Sequence, residues 1–375
     1  MTDIQQLQTW RRTLHKIPET GLNTPKTAAY LKKQLEGMDL ELTDIPEAGS
    51  SFTAFMDNGK EFSIAFRTDI DGLPVLEQTE NGFVSEHQGF MHACGHDGHM
   101  TVWLGALKEL DAIRDELDCN VLFIAQAGEE SPGGAKPITE SGVFEKYNVK
   151  QVYGLHLMPK SEPGKIYVRP LEMMARCAEV YITITGHSVH AARYKEGNDA
   201  LQAGAELLCG MYALEQTLPD NIFRLLRFGI LQGGTACNVV CDKCVLHGTL
   251  RSYQDEVFDD LANGIGDLCR QMEEKYGVSV DLNIGLGYPA VINDKELTEA
   301  VMKQIDGLTL LEKPQLISED FSFYQKKAPG IFFFLGTDTD QELHASRFDF
   351  KESILTSGIS LYKQLALNAS RLESR

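Results

Sequence analysis

Between Met91 and His99 the chain reads Met-His-Ala-Cys-Gly-His-Asp-Gly-His, which places a thiol, three imidazoles and a carboxylate in one short stretch. Thiolate sulfur and imidazole nitrogen are preferred ligands of zinc and similar divalent ions. The glycine between Cys94 and His96 lets the backbone fold tightly, so both donors can face one point. A turn that merely gathers polar side chains would also fit, so further donors and a base must come from elsewhere.

Ala127-Gly-Glu129-Glu130-Ser-Pro-Gly-Gly134 supplies two carboxylates directly after the apolar run Asn120 to Gln126. Neighbouring side chains of an extended segment point opposite ways, so each glutamate can do a separate job. One can bind a metal while the other accepts a proton from water. An isolated Glu-Glu pair is otherwise a solvated acidic turn. His156 ends the apolar run from Val152, and His344 follows the apolar run Gly330 to Leu335. A single histidine at a strand end is commonly a hydrogen-bonded structural residue. Four chemically equipped strand ends in one chain argue for a shared site, because open α/β sheets place ligands beyond the carboxyl ends of their strands.

The elements needed to position these residues can be read from periodicity. Up to about Pro170, helical segments (Leu7 to Lys16, Thr27 to Met38, Met100 to Leu117) alternate with short strands (Ser63 to Asp69, Val121 to Gln126). That alternation predicts a three-layer α/β domain. The order then changes. Strands at Arg176 to Thr185, Ile222 to Leu231, Asn238 to Leu250 and Val278 to Ile284, with helices at Asp199 to Thr217 and Asp255 to Lys275, give the β-α-β-β-α-β order of a ferredoxin-like unit. From about Asn293 the chain returns to the first domain, carrying His344 with it. The expected division is a catalytic domain at 1–172 and 288–375 and an inserted domain at 173–287.

Composition narrows the function class. With 35 basic and 54 acidic residues in 375, the net charge is −19, which argues against nucleic acid and anionic membranes as partners. No run is apolar and long enough to span a bilayer, and no secretory leader opens the chain. Eight cysteines at this length make no disulfide scaffold, so a reducing cytoplasm is expected. Cys241-Asp-Lys-Cys244, with Cys237 nearby, has the spacing of a zinc knuckle or redox pair, but no second such pair accompanies it, and it reads as structural. His92, His187 and His247 read likewise, and His99 as a residue beside the metal motif.

These motifs resemble the M20-type metallo-amidohydrolases, in the subgroup of aminoacylases, hippurate hydrolases and auxin-conjugate hydrolases. The resemblance spans nearly the whole chain. It runs from Arg11-Arg-Thr-Leu-His-Lys-Ile-Pro-Glu-Thr-Gly21 through Arg67-Thr-Asp-Ile-Asp71-Gly-Leu-Pro74, Cys94/His96, Glu129-Glu130 and His156. It continues through Gly186-His-Ser-Val-His190-Ala-Ala, Gly233-Gly-Thr-Ala-Cys-Asn238, Gly248-Thr-Leu-Arg251, Ser318-Glu-Asp-Phe321 and His344. Gly89 to Asp97 and Ser131 to Phe144 resemble bacterial N-acetyldiaminopimelate deacetylases in particular.

The resemblance implies two divalent ions per chain, zinc first, with manganese, cobalt and nickel as alternatives. Cys94 would bridge them, Glu130 and His344 would complete one site, and His96 and His156 the other. A histidine that much of the superfamily carries before this aspartate motif is absent here, and His96 takes its place. Asp71 would then orient a metal-binding imidazole, and Asp69 is structural or lies behind the site. Glu129 would be the general base. His190 would stabilise the oxyanion in the neighbouring subunit's site, with the inserted domain acting as lid and dimer interface. Asn238 and Arg251 would hold the substrate carboxylate. The implied reaction is removal of an acyl group from an N-acyl amino acid, foremost N-acetyl-LL-2,6-diaminopimelate in lysine biosynthesis. A broad aminoacylase or a dipeptidase would use the same residues. A non-catalytic metal-binding protein would have closed sites and no spare base. Ala127-Gly128 and Arg193-Tyr194 depart from the relatives' usual Pro-Ala and Pro, beside residues that would touch substrate.

Overall fold

The computed structural model describes residues 3–285 and 287–372. The chain forms two compact units, one comprising Met1–Met173, Ile292–Pro314 and Asp320–Arg375, the other Met174–Val291 and Gln315–Glu319.

The first unit is built on an eight-stranded sheet. In chain order its strands are β1 (Glu41–Asp44), β2 (Phe52–Met56), β3 (Ser63–Asp69), β4 (Asn120–Gln126), β5 (Val149–Met158) and β6 (Ile166–Val168). Strand β7 (Leu171–Met174) lies outside this sheet and pairs with β12 below. The second unit then supplies β8 (Arg176–Thr185), β9 (Arg224–Gly233), β10 (Lys243–Ser252) and β11 (Ser279–Ile284). Strands β12 (Val291–Asn293), β13 (Leu308–Leu310) and β14 (Gly330–Gly336) follow. The large sheet has the order β1-β2-β4-β3-β5-β14-β6-β13.

Its centre, β4-β3-β5-β14, is parallel throughout. Strands β3, β4 and β14 are buried at every residue, the signature of a parallel sheet covered on both faces. The two-residue alternation is visible on β14. Phe333 turns to Tyr153 in the main core, with ring centroids 6.4 Å apart, while Phe332 meets Phe321 at 5.0 Å. Helices α1 (Ile4–His15), α2 (Pro25–Gln34) and α3 (His96–Asp111) precede β4, and α3 packs between α1, the helix Leu355–Leu367 and the sheet. Trp103 of α3 sits edge-on to Phe52 and Phe123. Each such fully buried large side chain contributes roughly 1.5–3 kcal/mol, which holds the strand ends in a fixed frame.

The second unit is a four-stranded antiparallel sheet, β11-β8-β10-β9, with helices Ala200–Glu215 and Asp255–Tyr276 on one face. Alternate residues of β8 (Ala178, Val180, Ile182, Ile184) are buried, and they meet the apolar stripe Val257, Phe258, Leu261, Ile265, Cys269 and Met272. The connectivity is the split β-α-β-β-α-β unit.

Several boundaries differ from the expectation. Helix α3 begins at His96, not Met100, because Gly95 takes the left-handed conformation (φ 82°) that starts it. A side chain there would also meet Leu157 Cδ1 at 2.6 Å. The helix stops at Asp111, and Arg114–Glu116 is a separate 3-10 turn. Residues 238–242 precede strand β10 as a turn instead of extending it.

Candidate metal centre and active site

The parallel strands β4, β3, β5 and β14 end on one edge, and each end contributes. Glu129 and Glu130 follow β4, Asp69 closes β3 with Asp71 just beyond, His156 lies near the carboxyl end of β5, and the segment after β14 leads to His344. Cys94 and His96 come from the start of α3, which packs on β3 and β5. The donors converge. Cys94 Sγ lies 3.3 Å from His156 Nε2, and His344 Nε2 lies 3.1 Å from Glu130 Oε1. His96 Nε2 is 3.9 Å from Glu130 Oε1 and 4.0 Å from Glu129 Oε2. Two sets of donor atoms, each within 4.8 Å of one another, share the Cys94 sulfur: Cys94, His96 and His156, and Cys94, Glu130 and His344.

The imidazoles are aimed by their outer nitrogens. His96 Nδ1 donates to the Asp71 carbonyl oxygen at 2.8 Å, and His156 Nδ1 to the Leu157 carbonyl oxygen at 2.7 Å. A metal-binding histidine characteristically gives its second N–H to such an acceptor. His96 Nε2 is then a buried atom without a hydrogen-bond partner, which is costly unless something else satisfies it. His344 holds a left-handed backbone conformation (φ 65°), with its N–H bonded to the Ala93 carbonyl oxygen at 2.9 Å.

The electrostatics call for a cation. Burial opposes charge on His96, yet Asp69, Asp71 and Glu130 outweigh it and push its pKa up to about 10. Burial and the charges of Glu130 and Glu129 drive the Cys94 thiol well above its ordinary value. His156, buried and beside His99, is pushed down to about 3 and so is neutral, as a ligand must be. A pocket of carboxylates that holds a proton on His96 and denies ionisation to Cys94 would have both preferences reversed by divalent cations. The donor set therefore fits a metal centre.

Asp71 does more than the sequence suggested. Its carbonyl aims His96, and its carboxylate accepts the backbone N–H groups of Glu129 (3.1 Å) and Glu130 (3.2 Å), anchoring both glutamates. Asp69 is buried behind the donors against Arg67 (2.8 Å) and His99 (2.8 Å). Two clusters had no assigned role from sequence. Asp320 accepts from Arg67, Gln126 and the Ala135 N–H. Asp97, beside His96, binds Arg11 (3.2 Å) and His15 (2.8 Å). The motifs containing Arg11, Arg67, Asp97 and Asp320 signalled the members but not their pairing, since the partners lie far apart in the chain.

The second unit holds His190, Asn238 and Arg251. His190 and Asn238 are brought together: His190 bridges to Val239, and the Ala191 N–H donates to the Asn238 carbonyl oxygen at 2.9 Å. His190 is exposed, and its Nδ1 accepts the Ala192 N–H at 3.1 Å, leaving Nε2 to carry the proton outward. Arg251 is not brought to them. It sits at the far end of β10, paired with Cys177, whereas the end nearest Asn238 is Lys243, paired with Thr185. Eight residues of strand separate the two ends by about 26 Å. One chain cannot place Asn238 and Arg251 on a single carboxylate, contrary to the joint role the sequence suggested. Cys244 is sealed in the core of this unit, and Cys241 donates to the Lys243 carbonyl oxygen at 3.0 Å. Neither belongs to a donor group among the described residues.

Comparison with known proteins agrees with this geometry. Residues 65–368 match the family described as peptidase family M20/M25/M40. The N-acetyldiaminopimelate deacetylase of Shouchella clausii is 32% identical over 366 residues, covering 96% of this chain and 97% of that protein. An uncharacterized hydrolase of Staphylococcus epidermidis is also 32% identical, over 98% of this chain and 99% of its own. The crystal structure of the Bacillus subtilis YxeP protein, a dinuclear metal-binding peptidase of the M20 family, superimposes with a TM-score of 0.84 at 29% identity, covering 98% of each chain. With two donor groups sharing one thiol at the carboxyl ends of parallel strands, and with this match over most of its length, the chain belongs to the M20/M25/M40 peptidase family and is a hydrolase.

Proposed function

We propose that the chain hydrolyses the amide of an N-acyl amino acid, using two divalent ions held by Cys94, His96, Glu130, His156 and His344. The observation that carries this reading is the Cys94 sulfur shared between two donor groups, with the Glu129 carboxylate beside them. Bound there, divalent ions supply Lewis acidity for the scissile carbonyl and the attacking water. The thiolate and imidazole set favours zinc, then cobalt, nickel or manganese.

Glu129 is absent from both donor groups that contain Cys94, whereas Glu130 belongs to one of them, so we assign the proton transfers to Glu129. It takes a proton from the attacking water and returns it to the leaving amine. His190, with its proton on Nε2, suits donation to an oxyanion. Its role, and that of Asn238, is assigned to a neighbouring subunit's site in a homodimer formed through the Met174–Val291 unit, with Arg251 holding the carboxylate. The separation of Asn238 from Arg251 along β10 supports dividing these residues between two chains.

The substrate we assign is N-acetyl-LL-2,6-diaminopimelate, giving LL-2,6-diaminopimelate and acetate in cytoplasmic lysine synthesis. Support comes from the deacetylases named among the relatives. No helix among the described residues is long and apolar enough to cross a membrane, and the net charge is −19. The test is a comparison of kcat/KM for this compound against N-acetyl-methionine and hippurate. A site that bonds a distal charged group rejects analogues lacking it by about 10⁴-fold or more. Preference for either simple acyl amino acid would overturn the substrate and leave the amide chemistry standing.

A further inference from the structure

His99 lies one helical turn beyond His96 on the same face of α3 but points to a different partner. Its Nδ1 is 2.8 Å from Asp69 Oδ1, and its Nε2 accepts the backbone N–H of Leu157 at 3.0 Å. Because Nε2 accepts a peptide N–H, the ring proton must be on Nδ1, where it is donated to Asp69. Both nitrogens are thereby used, and His99 has no lone pair to offer a metal. Asp69 is held in turn by Arg67 at 2.8 Å, and all three side chains are buried.

The reason lies in the sheet. Strand β3 pairs with β5 only as far as Phe66 opposite Tyr153, so beyond Tyr153 that side of β5 has no ladder partner. A buried peptide group must still be satisfied. At Leu157 side chains do this: His99 accepts the N–H, and His156 donates its Nδ1–H to the carbonyl oxygen at 2.7 Å. The backbone of Leu157, through the N–H of one peptide group and the C=O of the next, thus connects Asp69 and His99 to the ring of His156. The rings of His99 and His156 also meet edge to face, centroids 4.5 Å apart.

We propose that His99 is a positioning residue, which fixes the Leu157 peptide and through it the direction of His156 Nε2 toward the metal centre. This rests on the reading of His156 as a ligand, and the experiment separates the two. Metal-free protein is titrated with Co²⁺, following thiolate-to-metal absorption and the two binding steps by calorimetry. The variants are His99→Leu, His99→Gln, His99→Asn and, as control, His156→Ala. Gln keeps an acceptor that reaches the Leu157 N–H, whereas Asn keeps a donor for Asp69 but is too short for Leu157.

The expected result is a 10- to 100-fold loss of affinity in one binding step for His99→Leu and His99→Asn, with His99→Gln within a few-fold of the parent. Wild-type affinity in both steps for His99→Leu overturns the proposal. So does recovery by Asn with none by Gln, which would place the function in the Asp69 contact alone. If His99→Leu does not fold, the Gln and Asn variants decide by the same criterion. Two undisturbed binding steps in His156→Ala would instead remove the ligand reading on which the proposal rests.

Discussion

The carboxyl ends of the large parallel sheet and the ends of the smaller antiparallel sheet both carry reactive side chains, on opposite terms. At the large sheet, His96 is wholly buried and Glu129 is 6% exposed, both held by Asp71 through backbone contacts, and of the donors named there only His344 is exposed. At the small sheet, His190 and Asn238 stand exposed on turns. A buried polar atom without a hydrogen-bond partner is costly, and at His96 Nε2 a bound cation would remove that cost. Groups that meet a transient substrate can remain hydrated until it arrives. The cysteines repeat the contrast. Cys94 is surrounded by carboxylates and imidazoles, whereas Cys244 packs in the aliphatic core with Gly204 against its sulfur. Burial is common to both, and the neighbouring charges distinguish a ligand from a packing residue.

The largest effect that could break this contrast is in the cysteines. Cys94→Ala should abolish activity and the binding of two ions, while Cys241→Ala should keep both ions, as measured by elemental analysis of the loaded proteins. An active Cys94→Ala enzyme would erase the distinction. Next, Glu129→Gln should retain the metals and lose about 10²–10⁴-fold or more in kcat, whereas Glu130→Gln should lose metal occupancy. Opposite metal contents would exchange the two assignments.

On the exposed side, inactive His190→Ala mixed with inactive Glu129→Gln should regain activity through heterodimers carrying one intact site. No recovery after proven subunit exchange would place His190 in its own chain's site or outside catalysis. A smaller effect concerns the cluster beneath α3. Burial opposes charge on His15, but its hydrogen bonds to Asp97 and Glu77 prevail and raise its pKa to about 9. The stabilisation is complete below the unfolded value, about 6.5, and is lost as pH rises through about 9. His96 behaves similarly in metal-free protein, so the measurement is a difference. Between about pH 6 and 10, metal-free wild type should lose roughly 1–3 kcal/mol more than His15→Gln in urea unfolding. Parallel curves would deny the charged contact. Smallest of all, His344→Gly should leave the metal-free fold as stable or up to about 1 kcal/mol more so, by relieving the left-handed backbone, while weakening metal binding. A destabilised variant would show that the His344 side chain serves the fold itself.

Much of the site was legible because its signals are local. Cys94 and His96 flank a glycine, Glu129 and Glu130 follow a buried strand, and His156 and His344 come at or after apolar runs. Each position depends on two-residue or helical periodicity and on turn chemistry, which a short window contains. The start of α3 was misplaced because Gly95 caps it in a conformation that side-chain periodicity does not record.

The sequence by itself determined the kinds of donor, their places at strand ends, and the two successive architectures. Tertiary structure alone decided which atoms meet. Arg67 reaches Asp320 across 253 positions, and His99 finds the Leu157 N–H because the pairing of β3 with β5 ends at Tyr153. It also decided that Arg251 lies at the far end of β10 from Lys243, the end that Asn238 precedes. Residue types and spacing report what a side chain can do, whereas register and strand length set where its partners are, and those depend on pairings between distant segments.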